Sequence, residues 1–240
     1  MATTYRDALN RVLRVLGEDA IASGESDLTS DYLIMVGEFF NQIKEEVEDA
    51  QPWRSMWGVL TATVAADVRN GDITNSTDRS RLIRIHDNHR QRLVPLVFDT
   101  TDADNPVPLE ETTLADLRFR DAQSPNVRAS GAPQLFAIDE GDEDTTGLRI
   151  AVHPRPSVQR TISLTMATPQ ARLEPEGDLD TNILVPVSPI VVGTLWYALE
   201  ERGEELGPTS LFSEERFQIA LTSAVARDVA DQGGLELVVQ

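Results

Sequence analysis

The chain has 240 residues, 40% of them hydrophobic and 25% charged, and its 40 acidic side chains outnumber 21 basic ones to give a net charge of −19. The absence of cysteine excludes disulfides and thiolate metal sites, and a pI of about 4.4 opposes tight gripping of nucleic-acid phosphates. A chain of this size can bury roughly 70% of its surface, so one domain with an insert, or two domains, is expected.

The opening MATTYRDALNRVLRVL lacks a continuous apolar core, so no signal peptide is expected. No stretch reaches the roughly 18 apolar residues that would cross a membrane. Residues 4–16 read as a helix: Tyr5, Leu9, Val12, Leu13 and Leu16 share one face, with Thr3 or Thr4 as cap and Gly17 as stop. A second helix is set by Leu33, Val36, Phe40, Ile43 and Val47 at alternating spacings of three and four. Ser30 caps it and Pro52 ends it. Its expected exposed face carries Glu38, Glu45, Glu46, Glu48 and Asp49. Lys44 is the only lysine; the other 20 basic residues are arginine, a bias that suits either coding composition or bidentate contacts at interfaces.

From Trp57 the texture becomes β-like. WGVLTATVAADV and RLIRIHDNHRQRLVPLVF are rich in β-branched residues. NPVPLEETTLADLRFR holds a helical turn with Thr112 or Thr113 near its start. Residues 134–139 and 147–152 read as a hairpin with an acidic tip. RTISLTMAT is a further strand, with Ile162, Leu164 and Met166 on one face. Eleven of the 13 prolines fall between 95 and 189, which suits loops and strand ends. Ser188-Pro189 then reads as a cap and first helical position for a helix running to Leu206. Ser213 caps a last helix, with Glu214 and Glu215 in its first turn. Gly233-Gly234 ends it, leaving LELVVQ with strand-like composition.

Chemical signatures are sparse. No G-x-S-x-G elbow and no glycine-rich phosphate cradle occurs. The histidines are His86, His89 and His153. HDNH supplies two imidazoles, but a metal needs at least a third ligand in fixed geometry, so a polar strand end is preferred and no metal is expected. Asp139 to Asp144 holds five acids in six positions, without the spacing of a calcium loop. A solvated hairpin tip is the expectation there. Trp53, Trp57 and Trp196 could seal a core or form a sugar platform; Trp53 and Trp57 are expected to be buried at the junction of helical and β-rich parts. No catalytic residue and no cofactor is assigned.

Four stretches in order carry a more specific pattern: YRDALNRVLRVLGED, VGEFFNQIKEEVEDAQPWRSMW, GAPQLFAIDEGDEDTTGLRIAVHPRP and LVPVSPIVVGTLWYALEERGE. In these the chain resembles the head-to-tail adaptor (connector) proteins of tailed bacteriophages, the tail tubular protein A-like group. The long acidic tip at 139–147 departs from that family's pattern. The resemblance implies a structural virion protein without enzymatic activity. It implies a homo-oligomeric ring, usually a dodecamer, that docks beneath the portal protein at the neck and extends the DNA channel. Such a ring offers a platform to the next tail protein (nozzle, tail tube or terminator), with genomic double-stranded DNA passing through an acidic lumen without specific binding. No membrane is involved.

The expected fold is α+β: a four-helix bundle formed by N- and C-terminal helices (1–55 and 186–232) with a central β-rich, barrel- or sandwich-like insert (56–185). The tail at 233–240 is expected to add a strand to a neighbour or to the portal. Its candidate interface residues are Leu235, Glu236, Leu237, Val238, Val239 and Gln240. The competing reading is a monomeric carbohydrate-binding or carbohydrate-processing protein using the three tryptophans.

Overall fold

A computed structural model describes residues 3–87, 92–123, 130–139, 147–203 and 212–231. The described residues form five α-helices: α1 (Tyr5–Leu16), α2 (Asp31–Ala50), α3 (Leu114–Gln123), α4 (Val187–Glu201) and α5 (Glu214–Asp231). The strands are β1 (Trp57–Val64), β2 (Asn70–Asp72), β3 (Arg81–Leu82), β4 (Arg84–Asp87), β5 (Arg92–Pro95), β6 (Val97–Asp99), β7 (Val107–Pro108), β8 (Glu110–Glu111), β9 (Ser130–Gly131), β10 (Leu135–Asp139), β11 (Arg149–His153), β12 (Arg155–Pro156) and β13 (Arg160–Ala167). They belong to two units. One joins residues 3–56 to 170–231, and the other is the intervening 57–169.

In the first unit, α4 is the common neighbour of α1, α2 and α5. Apolar periodicity explains α1 and α2. Leu9, Val12 and Leu13 of α1 and Val36, Phe40, Ile43 and Val47 of α2 are all buried. Thr4 Oγ1 accepts from Asp7 N, and Gly17 ends α1 in the left-handed conformation with φ 74°. Ser30 caps α2 by accepting from Leu33 N. Two glycines allow close approach of helices. A Cβ on Gly37 would lie 2.7 Å from the Tyr5 hydroxyl, and one on Gly193 would lie 2.8 Å from Ile43 Cγ2. α4 begins at Val187 with Pro186 at its N-cap and no side-chain cap, so Ser188 lies inside the first turn. It ends at Glu201, short of the expected Leu206, because Gly203 takes φ 70°.

The second helix is only partly amphipathic in the expected sense. Asn41, Lys44 and Glu48 follow the same three-and-four spacing as the apolar series, shifted by one residue, and all three are buried. Lys44 Nζ donates to Glu48 Oε1 at 2.9 Å and to the Gln170 carbonyl at 3.0 Å, with both side chains 0% exposed. Gln170 N donates to Glu48 Oε1 at 3.3 Å. Asn41 pairs with the backbone of Leu173 through its amide N and O, each at 2.9 Å. Glu48, expected on the exposed face, is thus fully buried. The extended chain continues from there along α1: Tyr5 N donates to the Thr181 carbonyl, Arg6 N to Leu179 and Ile183 N to Thr3.

The four-helix bundle with one barrel-like or sandwich-like insert is therefore corrected. The chain is α+β overall, with five helices and several sheets. Beside the buried polar face of α2 lies extended chain at 170–173, not a helix. α5 buries only Phe217 and Ala224, and α3 belongs to the other unit.

In that second unit, β1 pairs antiparallel with β13 from Trp57↔Ala167 to Val64↔Arg160. β13 also pairs with β6 and β3, and β7 extends the sheet beyond β6. A separate sheet runs β2-β11-β10-β8, and β4-β5 and β12-β9 are two-stranded. β10 and β11 form the expected hairpin, with Leu135 opposite His153 and Asp139 opposite Arg149. Phe136, Ile150 and Val152 from this hairpin share a core with Ile162, Leu164 and Met166 of β13. Where a helical turn was expected, α3 runs for ten residues. Thr113 Oγ1 accepts from Asp116 N at its start, and Leu117 packs on Ala137 and Ala151.

Two outcomes test this packing. Lys44→Ala leaves Glu48 buried without its counter-charge and should lower the unfolding free energy by about 3–5 kcal/mol, read by chemical denaturation, while Lys44→Met with Glu48→Leu should recover most of that loss. Gly193→Ala drives a methyl into Ile43 and should destabilise by about 1–3 kcal/mol.

Candidate functional site

The densest group of ionisable side chains in the β-rich unit gathers around α3. Leu117 turns toward the hairpin, and Asp121, one turn later, reaches the end of β11. Asp121 Oδ2 accepts from Arg155 Nη2 at 2.9 Å and from Arg69 Nη2. Its Oδ1 lies 3.3 Å from His153 Nδ1. Asp116, on the same helix, accepts from Arg120 Nε at 2.8 Å and Thr112 Oγ1 at 2.9 Å. Those two hydrogen bonds hold the Asp116 carboxyl below its ordinary value.

Three guanidinium groups, those of Arg69, Arg120 and Arg155, pair with two carboxylates here, and a fourth, on Arg118, lies near enough to repel Arg69. The surplus is visible in the titration of the group. Burial pushes the Arg69 guanidinium down, and repulsion from Arg155 and Arg118 adds to it. Burial also holds the His153 imidazole below its ordinary value, reinforced by Arg120 and Arg69. His153 is therefore neutral at pH 7, and with its proton on Nδ1 it donates to Asp121. Among the described residues the one hydrogen-bond partner of the His153 ring is Asp121, at Nδ1. The arrangement fastens β11, β12 and the residue before β2 to α3; it is a positively charged knot in an acidic protein.

The same unit has a groove of about 820 Å³ between β5 and the β8–β10 edge, lined by Arg92, Val94, Leu109, Glu110, Thr112 and Leu135. Its rim carboxylates are tied to arginine: Glu111 holds Arg84 at 2.9 and 2.5 Å, and Glu110 lies 3.3 Å from Arg92.

The residues singled out from sequence are dispersed. Leu235, Glu236, Leu237, Val238, Val239 and Gln240 lie outside the described residues, as do His89 and most of the 139–144 acidic run. His86 contributes backbone to β4, opposite Leu93. Among the described residues no group of three or more His, Asp or Glu side chains could hold a metal ion, and no helix is long and apolar enough to cross a membrane. Trp53 is 1% exposed and donates from Nε1 to the Val47 carbonyl at 2.6 Å. Trp57 opens β1 and is partly buried. Trp196 stacks on Tyr197 at 4.7 Å, and Tyr197 on Phe39 at 5.8 Å. Trp53, being buried, offers no free face to a ligand.

No protein-family model matches the chain, and no curated protein matches it either.

The depressed His153 titration gives a signed expectation. An unfolded chain binds a proton at His153 near pH 6.5 and the folded one does so only lower, so stability is lost as pH falls through that window. Chemical denaturation at pH 7.5 and 5.5 should show a smaller loss for His153→Gln than for the unaltered chain.

Proposed function

We propose that this chain is a structural protein of a tailed-phage virion, a ring-forming adaptor between the portal and the tail. The observation that carries this reading is the discontinuous helical unit. The opening and closing parts of the chain are held together at Lys44 and Gln170 and around α4, and residues 57–169 form a unit of their own between them. The resemblance in the four sequence stretches supports the same reading. The discontinuous arrangement suits a scaffold with two faces for two neighbours better than a pocket for a small substrate.

Electrostatics supports the same reading. Most of the partly buried arginines are already committed to carboxylates, as at Arg6–Asp180, Arg160–Asp99 and Arg202–Glu18. The surplus of 19 negative charges therefore resides on groups with few cations to answer them. A ring of such subunits would present DNA with a surface that repels phosphates and lets the duplex slide. The tail at 235–240 would be the portal-binding strand, and the protein would act without catalysis.

Negative-stain imaging of the purified chain with a cognate portal ring should show a second ring stacked on the first. A truncation ending at Gln232 should keep its melting temperature and lose that stacking. Submicromolar, salt-sensitive binding of duplex DNA, or a truncated chain that still docks with full affinity, would overturn the assignment.

A further inference from the structure

Two helices carry outer faces that the described residues leave uncovered, and the faces are complementary. On α3, Leu114, Leu117 and Asp121 turn inward, and the adjoining flank carries Ala115, Arg118, Phe119 and Ala122, all exposed. Phe119 is 60% exposed and adjoins the small apolar side chains of Ala115 and Ala122 on this flank. Arg118 forms no ion pair among the described residues, and it stands on the side of the unit where guanidinium groups outnumber carboxylates.

On α5, only Phe217 and Ala224 are buried. Glu215, Ile219, Thr222, Ala226 and Val229 recur at spacings of four, three, four and three, and all five are exposed. Ile219 is 50% exposed and Val229 is 38% exposed. This is a regular apolar stripe with an acid at its head, on a helix whose stability must come from packing of a face. The head is acid-rich: burial holds the Glu46 carboxyl above its ordinary value, and Glu214 lies close enough to add to it. Neither Glu214 nor Glu215 has an ion-pair partner among the described residues.

We propose that α3 of one copy docks on the α5 stripe of the next, with Phe119 seated beside Ile219 and Thr222 and Arg118 meeting Glu215. The occupant is a second copy because the two faces complete each other: a cationic aromatic patch in one unit and an anionic aliphatic stripe in the other. Small residues flank both, Ala115 and Ala122 on α3 and Ala226 on α5, so the helices can approach closely. The two surfaces differ, so the contact is heterologous. Repetition of a heterologous contact generates a ring when the rotation closes. The inference rests on the ring-forming reading and names the contact that would build it.

Sedimentation velocity of the full chain, across protein and salt concentration, tests it by charge exchange. Arg118→Glu and Glu215→Arg should each weaken self-association by about tenfold or more, and the double variant should restore it. Phe119→Ala should weaken association with its melting temperature unchanged. Circular dichroism confirms folding, since all three positions are exposed. If the unaltered chain assembles and the single reversals assemble equally well, or the double variant is no better than either, the α3–α5 contact is wrong while the ring reading stands. If the unaltered chain remains monomeric at every concentration, the contact and the self-assembling ring both fall. A monomer that melts lower with Phe119→Ala would show that the chain itself covers this face, and would also overturn the proposal.

Discussion

The buried pair of Lys44 and Glu48 governs the helical unit. Moving a lysine and a glutamate out of water costs several kcal/mol for each ion, and their mutual attraction offsets this only when the remaining donors and acceptors are satisfied. Here satisfaction requires chain from elsewhere. The Gln170 carbonyl takes a Lys44 proton and the Gln170 amide reaches Glu48, while Asn41 reads the backbone at Leu173 like a strand partner. An aliphatic substitute for the pair would bury as well but would accept the returning chain in several registers. The charged pair favours one, in which residues 179–183 lie against the start of α1 and the chain is delivered to the start of α4.

Sequence periodicity was enough for elements that bury one clean face. α1 and α2, the β10–β11 hairpin and the β13 face of Ile162, Leu164 and Met166 follow directly from spacing, and Thr4, Ser30 and Gly17 act as the caps and stop their residue types suggest. Failures occur where burial is polar or where no period exists. Glu48 sits among acids on a helix and reads as solvated; only its offset from Lys44, in a chain otherwise furnished with arginine, hints at a buried pair. The stretch 170–183 has no regular pattern because its backbone, not a side-chain alternation, is what is held: by Lys44, Glu48 and Asn41 of α2 at 170–173 and by the start of α1 at 179–183. α3 was underestimated because its apolar content is low: Leu114 and Leu117 alone face the hairpin, and an ionic knot around Asp121 supplies the rest.

The candidate sites were less legible than the fold. His153 is unremarkable in sequence, since its partner Asp121 and the two arginines that also bind Asp121, Arg69 and Arg155, are scattered over 86 positions and meet only because β11, β12 and α3 converge. The tryptophans were legible only in part. Trp53 and Trp57 are four residues apart, yet one closes the end of α2 and the other begins a strand. Net charge was informative only in bulk; its distribution into a cationic knot at α3 and an acid-headed stripe on α5 needed the structure.

The bond from Lys44 to Gln170 closes a loop of 126 residues, which has a kinetic meaning. During synthesis α1 and α2 leave the ribosome long before the chain that satisfies them, and α4, their common packing partner, comes later still. Until then Lys44, Glu48 and the apolar face of α2 stay hydrated or seek transient cover. The central unit, whose longest strand pair joins Trp57 to Ala167, is complete in sequence first. Long-range contacts form slowly because loop closure precedes any reward, and incomplete units expose sticky surface. The β-rich unit can therefore fold vectorially as an early, independent body, and the helical unit forms last, in a step that draws the two ends of the nascent chain together.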